Sequence, residues 1–387
     1  MDSQISDSIH GNTLPWAKVI SNAMDVDSAR PIGPNQFLIR PFGFGGGTIG
    51  SPEVATVHCI SAVHAAWNLG VRFFDTAPWY GIGRSERRLG QALGDLDVQR
   101  DEFWINTKVG KTLVPEPIRN ESNKTYCLDG SVRTPRDTRT GFRVNYEYGA
   151  DAIRRQHESS LQRLGHARVD SLTIHDIDYG YHDPEQLEEY LHQLDRDGGG
   201  GAEALEDMRA SGAIRSIGCG CNLESRNAFS WETESHERLC ERIADLVDLD
   251  FFVVAGGYTL LETRAMRRIF PLCQERGIRV IAATPFAGGW LVNSNKSPSY
   301  MYGPPSEGIE RKTNALRRIC HAYNVPLPAA AMQFQLAHSL VSAIIPGAKS
   351  AGEVEENYQL LQHAIPSALW TELRSQGLVD PEAPIPG

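Results

Sequence analysis

The chain has 387 residues, 41% of them hydrophobic and 22% charged, with a formal net charge of −10. That is ample apolar material for a large core, while the acidic balance argues against a general nucleic-acid surface. The polar start Met1-Asp2-Ser3-Gln4, the lack of any long apolar run and seven dispersed cysteines without a CxxC pair predict a protein without a signal peptide or membrane span, in the reducing cytoplasm.

Residues 1–35 are punctuated by Pro, Gly and Asn and read as an extension; residues 36–387 read as one domain. Strand patterns, β-branched or aromatic, fall at 37–42, 71–75, 103–108, 170–175, 214–219, 249–254, 278–283 and 342–346. Helical patterns alternate with them. Ser51-Pro52 offers a cap and a first-turn proline for a helix running to about Asn68, and others fall at 85–93, 148–164, 201–211, 235–246, 261–276, 311–323 and 351–361. Strict alternation implies parallel strands, and this many units predict a closed (β/α)8 barrel of the TIM type, with chemistry on the loops after the strands. Two connections, 110–147 and 292–310, are long enough to overhang that face as lids.

Four residues sit where apolar runs end: Asp75, Tyr80 on the following loop, Lys108 and His175. A phenol beside an ammonium is a proton donor tuned toward neutral pH, and a carboxylate keeps the ammonium charged. That set suits carbonyl reduction or alcohol oxidation. Gly45-Gly46-Gly47-Thr48-Ile49-Gly50 also fits GxGxxG, which leaves a Rossmann dinucleotide fold as an alternative, with Asp75 as its ribose-binding acid. His157 and the pair His182-Asp183 match no standard metal spacing, so no metal is expected.

Phe74-Asp75-Thr76-Ala77-Pro78-Trp79-Tyr80-Gly81, followed by Ser85-Glu86 and Leu89-Gly90, resembles the aldo-keto reductases. The resemblance continues through Thr107-Lys108, Ile174-His175-Asp176 and Ile345-Pro346-Gly347-Ala348-Lys349-Ser350 to Glu356-Asn357, and covers residues 36–365. Gly43-Phe44-Gly45-Gly46, the segment ending Phe142-Arg143-Val144-Asn145-Tyr146 and Ala255-Gly256-Gly257-Tyr258 are closest to its aldose 1-dehydrogenase and pyridoxal 4-dehydrogenase-like branch.

The resemblance implies an NAD(P)-dependent oxidoreductase acting on a small carbonyl or alcohol, such as a sugar hemiacetal or a natural-product intermediate. It makes Tyr80 the general acid or base, supported by Asp75 and Lys108, with His175 orienting the substrate oxygen. Trp79 and Tyr146 become substrate walls, together with Tyr126, Phe142 and Tyr148 if the long loop folds over. NADP(H) or NAD(H) falls to Gly46, Thr48, Asp75, Asn222, Thr284, Pro285, Phe286, Gly288, Gly347, Lys349, Glu353, Glu356 and Asn357. Three positions depart from the family pattern: Cys221 precedes Asn222 where a Ser is usual, Ala255 replaces a Gln and Ala283 replaces an aromatic. Glu353 stands where many phosphate-selective members carry Arg, which disfavours a 2′-phosphate, whereas Lys349 favours one. Two further classes stay open: a cofactor-binding regulatory protein of the same fold without significant turnover, and a Schiff-base enzyme using Lys108.

Overall fold

Eight parallel strands close on themselves in the computed structural model, which describes residues 28–386 apart from 33–36, 116–124, 127–131, 134–135, 138–139, 180–181, 223–229, 294–299 and 302. They are β1 Phe44–Gly45, β2 Phe73–Asp75, β3 Trp104–Val109, β4 Ser171–His175, β5 Ser216–Asn222, β6 Phe251–Ala255, β7 Arg279–Ala283 and β8 Val341–Ile345. Neighbours in sequence are neighbours in the sheet. Bridges from Phe42 to Ile344 and from Gly45 to Gly347 join the first strand to the last, so the sheet has no open edge there. This closed (β/α)8 barrel rules out the Rossmann alternative. The glycine-rich loop leads into a short turn at Thr48–Gly50 rather than directly into a helix.

The strands read as near-continuous apolar runs because both faces are buried. Phe73, Trp104, Phe251, Val253, Ile281 and Ala343 fill the barrel interior. Phe74, Ile105, Phe252 and Val254, one residue on in each case, pack outward in the larger cluster shared with the helices. The interior cluster also takes Ile32 and Ile39, from an antiparallel hairpin of Arg30–Ile32 with Phe37–Ile39. The Ser342 hydroxyl donates to the Pro31 carbonyl at 2.6 Å, and Arg30 reaches the Val341 carbonyl. The expected first strand at 37–42 is therefore displaced. Its start belongs to this hairpin, Pro41 offers no N–H to a ladder, and the barrel strand begins at Phe44.

The first helix is also shorter than expected, starting at Thr56 and not at Ser51. Arg88 explains the change. Its buried guanidinium donates to the carbonyls of Ile49, Ser51 and Val54, holding residues 51–54 as an irregular turn. Four helices lacked an assignment from sequence: Pro184–Leu194, the single turn Trp290–Asn293, Leu327–Leu336 and Ser367–Ser375. The expected helix 261–276 is regular only over Ile269–Arg276.

The connection after β3 is not a plain loop. Lys111–Pro115 pairs antiparallel with Phe142–Tyr146, which pairs in turn with Arg136–Asp137. This arm leaves the C-terminal end of the barrel and puts Lys111 opposite Tyr146. The expected N-terminal extension falls outside the described residues up to position 27, as do parts of 110–147 and 292–310.

Candidate active site

Asp75 is the last residue of β2, in register with Asn106 of β3, and Lys108 lies two residues beyond Asn106 on the same side of that strand. The Lys108 ammonium donates to both Asp75 oxygens, at 2.7 and 2.8 Å, and to the Thr76 carbonyl at 2.8 Å. Both side chains are buried. Asn106 donates to Asp75 at 2.7 Å and accepts from the hydroxyls of Ser171 and Thr173 on β4. A polar chain thus crosses three strands and fixes the carboxylate. With every ammonium proton committed, Lys108 is poorly disposed to act as a Schiff-base nucleophile.

Tyr80 is placed by the turn after β2, in which its N–H meets the Ala77 carbonyl and Gly83 N–H the Pro78 carbonyl. The turn presses on the first barrel loop. Gly81 adopts φ +64°, and a Cβ there would lie 1.9 Å from the Gly50 carbonyl oxygen, so only glycine fits. Ser85 donates to the Gly46 carbonyl, and Glu86 accepts from Thr107 beside Lys108. The Ser85-Glu86 dipeptide therefore straps the two site-bearing loops together.

The Lys108 ammonium is 4.7 Å from the centroid of the Tyr80 ring, and the His175 ring meets that ring edge-on at 5.9 Å. The structure thus brings all four strand-end residues into one site. It corrects the expected electrostatics. Burial pushes the Tyr80 phenol well above its ordinary value of 10.0, and Asp75 and Asp176 add to the rise. The Lys108 ammonium beside the ring does not outweigh these effects, because Asp75 compensates much of its charge. Burial likewise drives His175 well below 6.5, opposed by Asp176 and reinforced by Lys111 and Lys108. At neutral pH the site presents an un-ionised phenol and an uncharged imidazole.

A second buried polar group adjoins the first, and sequence reasoning assigned none of its charged members. Lys111 pairs with Asp176, the residue after His175. The other Asp176 oxygen accepts from Asn222 Nδ2 at 2.9 Å, and the same nitrogen donates to Asp178 at 2.7 Å. The Lys111 ammonium lies 4.2 Å from the Trp79 ring centroid and 5.5 Å from that of Tyr146. His182 donates to the Asp176 carbonyl and meets the Tyr146 ring edge-on at 4.5 Å. Trp79 and Tyr146 thus flank this pair beside the four. The Ile174-His175-Asp176 run already held the signal for Asp176. Tyr148 is not a pocket wall: it is fully buried, and its hydroxyl supports the His175 carbonyl at 2.8 Å. Phe142 is half-buried on the arm, and the Tyr126 side chain lies outside the described residues.

The aldo/keto reductase family profile matches residues 41–376. The chain belongs to that family. Pyridoxal 4-dehydrogenase of Microbacterium luteolum is 32% identical, over 90% of this chain and 97% of the relative. D-threo-aldose 1-dehydrogenase of a Pseudomonas species is also 32% identical, over 88% and 95%. Both come from the branch that the sequence motifs resemble. An aldo-keto reductase from Bacillus halodurans, in its holo form, superposes with a TM-score of 0.63 at 21% identity, covering 91% of this chain and 96% of that one, which bears on the fold alone. Family membership makes the protein an NAD(P)-dependent oxidoreductase acting on CH–OH and carbonyl groups.

The residues expected to hold the nucleotide come from the C-terminal ends of β1, β2, β5, β7 and β8. Gly46, Thr48 and Gly347 meet where β1 joins β8. Thr48 donates to the Ala348 carbonyl at 2.8 Å, and a Cβ on Gly347 would come within 2.7 Å of the Thr48 methyl. Asn357 lies 3.5 Å from the Gly347 carbonyl, and Glu353 accepts the Lys349 N–H at 2.7 Å. Glu356 is exposed one residue before Asn357. After β7, Pro285 is buried, Phe286 is half-buried and Gly288 is exposed. The Thr284 hydroxyl accepts from Gly256 N–H, so it ties the β6 and β7 loops. Thr284, Ala287, Gly288 and Gly289 all have positive φ, and the Ala287 and Gly289 N–H groups return to the Thr284 and Phe286 carbonyls, so the β7 loop curls tightly on itself. The Cys221 side chain turns into the outer core, whereas Asn222 turns to Asp176 and Asp178.

Proposed function

We propose that this reductase interconverts a carbonyl and an alcohol by direct hydride transfer, with Tyr80 exchanging the proton at the substrate oxygen. The observation that carries the reading is the convergence of half-buried Tyr80 with the buried Lys108–Asp75 pair and His175 in one cluster. The nicotinamide, when bound, supplies or accepts the hydride. In reduction the un-ionised Tyr80 hydroxyl gives its proton to the oxygen on which negative charge develops. Lys108 stabilises the resulting phenolate, and uncharged His175 orients the oxygen by a hydrogen bond. In oxidation the same groups act in reverse, with the phenolate as base.

Gly46, Thr48, Asn222, the Thr284–Gly289 loop and the Gly347–Asn357 stretch are assigned to the nucleotide. Trp79 and Tyr146 are assigned to one wall of the substrate site. The substrate class follows the relatives, whose names give pyridoxal and D-threo-aldoses. The expected substrate is thus a small polyhydroxy hemiacetal or a heteroaromatic alcohol or aldehyde. The test is NAD(P)-linked turnover of a pyridoxal, D-threo-aldose and L-galactose panel by wild type and Tyr80→Phe. Turnover confined to wild type, with nucleotide binding in both, supports the reading. Equal turnover by the variant rejects it.

A further inference from the structure

Asp176 occupies an unusual position. It directly follows His175 and is a non-glycine residue at φ +53°, a conformation kept only where the surroundings enforce it. One carboxylate oxygen pairs with Lys111 and lies 3.3 Å from His175 Nε2, while the other accepts from Asn222. Lys111 and Asp176 are each at least nine-tenths buried, so the pair is shielded from water. One carboxylate therefore touches the side chain assigned to the substrate oxygen and a side chain assigned to the nucleotide. Asp178, also buried, takes the remaining Asn222 N–H. Because carboxylate oxygens only accept, the amide nitrogen must face the two acids, and the Asn222 oxygen is the atom left to present.

We infer that Asp176, ion-paired to Lys111, is a positioning residue that fixes His175 and Asn222 relative to one another, so that Asn222 offers its oxygen as a hydrogen-bond acceptor to the bound nucleotide. The inference rests on the proposed function for the roles of His175 and Asn222. Nucleotide and substrate must bring their two reacting carbons together within a narrow geometry, and one carboxylate links a group that holds each partner. Lys111 balances the charge that this arrangement buries.

The test compares Lys111→Met, Asp176→Asn and the double variant with wild type and Tyr80→Phe. NADH affinity is read by fluorescence quenching, and turnover is expressed per NADH-binding site. The double variant removes both charges of the pair together, so it stands if either single variant fails to fold. It is expected to lose at least tenfold in kcat per site and at least threefold in NADH affinity. His175 is faced by Asp176, Lys111, Lys108 and Tyr80, so Lys111→Met is also expected to move the acid limb of kcat/KM to higher pH, a change that a merely structural role would not produce. A double variant within twofold of wild type in both kcat per site and NADH affinity overturns the inference. Loss of discrimination between wild type and Tyr80→Phe would instead reject the proposed function itself.

Discussion

The Lys108 ammonium lies 4.7 Å from the Tyr80 ring centroid, yet it spends its hydrogen bonds on Asp75 and the Thr76 carbonyl. Tyr80 thus sits beside a compensated charge and stays protonated. The arrangement holds a proton ready for a developing alkoxide and stabilises the phenolate once that proton has left.

Breaking the pair should cost both fold and rate. Lys108→Met leaves Asp75 buried without its cation, a change that typically costs about 3–5 kcal/mol. Urea unfolding is expected to show a loss of that order. The same variant is expected to lose about 10²-fold or more in kcat, because the phenolate has no stabilising charge. A variant of unchanged stability and rate would show that the pair is neither structural nor catalytic.

Acid should weaken the fold through His182. Burial first, and then Lys111, lowers this imidazole from 6.5 to about 4, against the opposing effects of Asp178 and Asp176. Between those values the unfolded chain binds more protons than the folded one, so stability is retained above the unfolded value and lost as pH falls toward the folded one. The contribution is about 3 kcal/mol at most. His175, also depressed, acts in the same direction. The thermal midpoint is therefore expected to drop from pH 6.5 to pH 4, and His182→Asn should make that drop shallower. An identical slope in the variant would remove His182 from the account.

Cofactor preference should turn on Glu353. Its carboxylate accepts the Lys349 N–H, while the Ser350 hydroxyl accepts the Glu353 N–H, so an acid reciprocally caps the helix Ala351–Gln362. An acid at that helix start repels a 2′-phosphate and satisfies an N–H that such a phosphate would otherwise use. NAD(H) is expected to bind more tightly than NADP(H). Glu353→Gln should tighten NADP(H) several-fold, with little effect on NAD(H), by fluorescence titration. Unchanged NADP(H) affinity would mean that the 2′-phosphate does not reach this residue.

The turn that presents Tyr80 should not tolerate a side chain at position 81. Gly81→Ala combines φ +64° with a Cβ 1.9 Å from the Gly50 carbonyl oxygen. Strain alone costs about 1–2 kcal/mol, and the clash displaces the loop that carries Tyr80. The variant is expected to lose activity well beyond its loss of thermal stability. A proportional loss of the two would show that Tyr80 tolerates the displacement.

Much of this was legible in the sequence because barrel strands announce themselves. Runs such as Phe251–Ala255 and Arg279–Ala283 are buried on both faces and read as apolar segments. The four strand-end residues were legible for the same reason, since a barrel delivers such positions to one mouth. Other features were not. Phe37–Ile39 has a strand's composition but pairs in a hairpin beneath the barrel. Leu327–Leu336 is buried almost all round and so lacks the one-sided pattern of a surface helix. Pro184–Leu194 carried its signal in Asp183, Pro184 and Gln186, a proline-started capping box, and was missed. The Lys111–Asp176 pair depends on an arm that folds back from β3, and no local spacing reveals that. The Tyr80 environment also escaped, because the sequence showed the ammonium but not how fully Asp75 compensates it.

The most direct measurement is single-turnover hydride transfer by Tyr80→Phe against wild type at saturating NAD(P)(H), with nucleotide affinity titrated on the same samples. The account predicts nucleotide affinity within about twofold of wild type and a transfer rate lower by about 10²–10⁴-fold, the range expected for loss of a general acid or base. Transfer at the wild-type rate in the variant would contradict it.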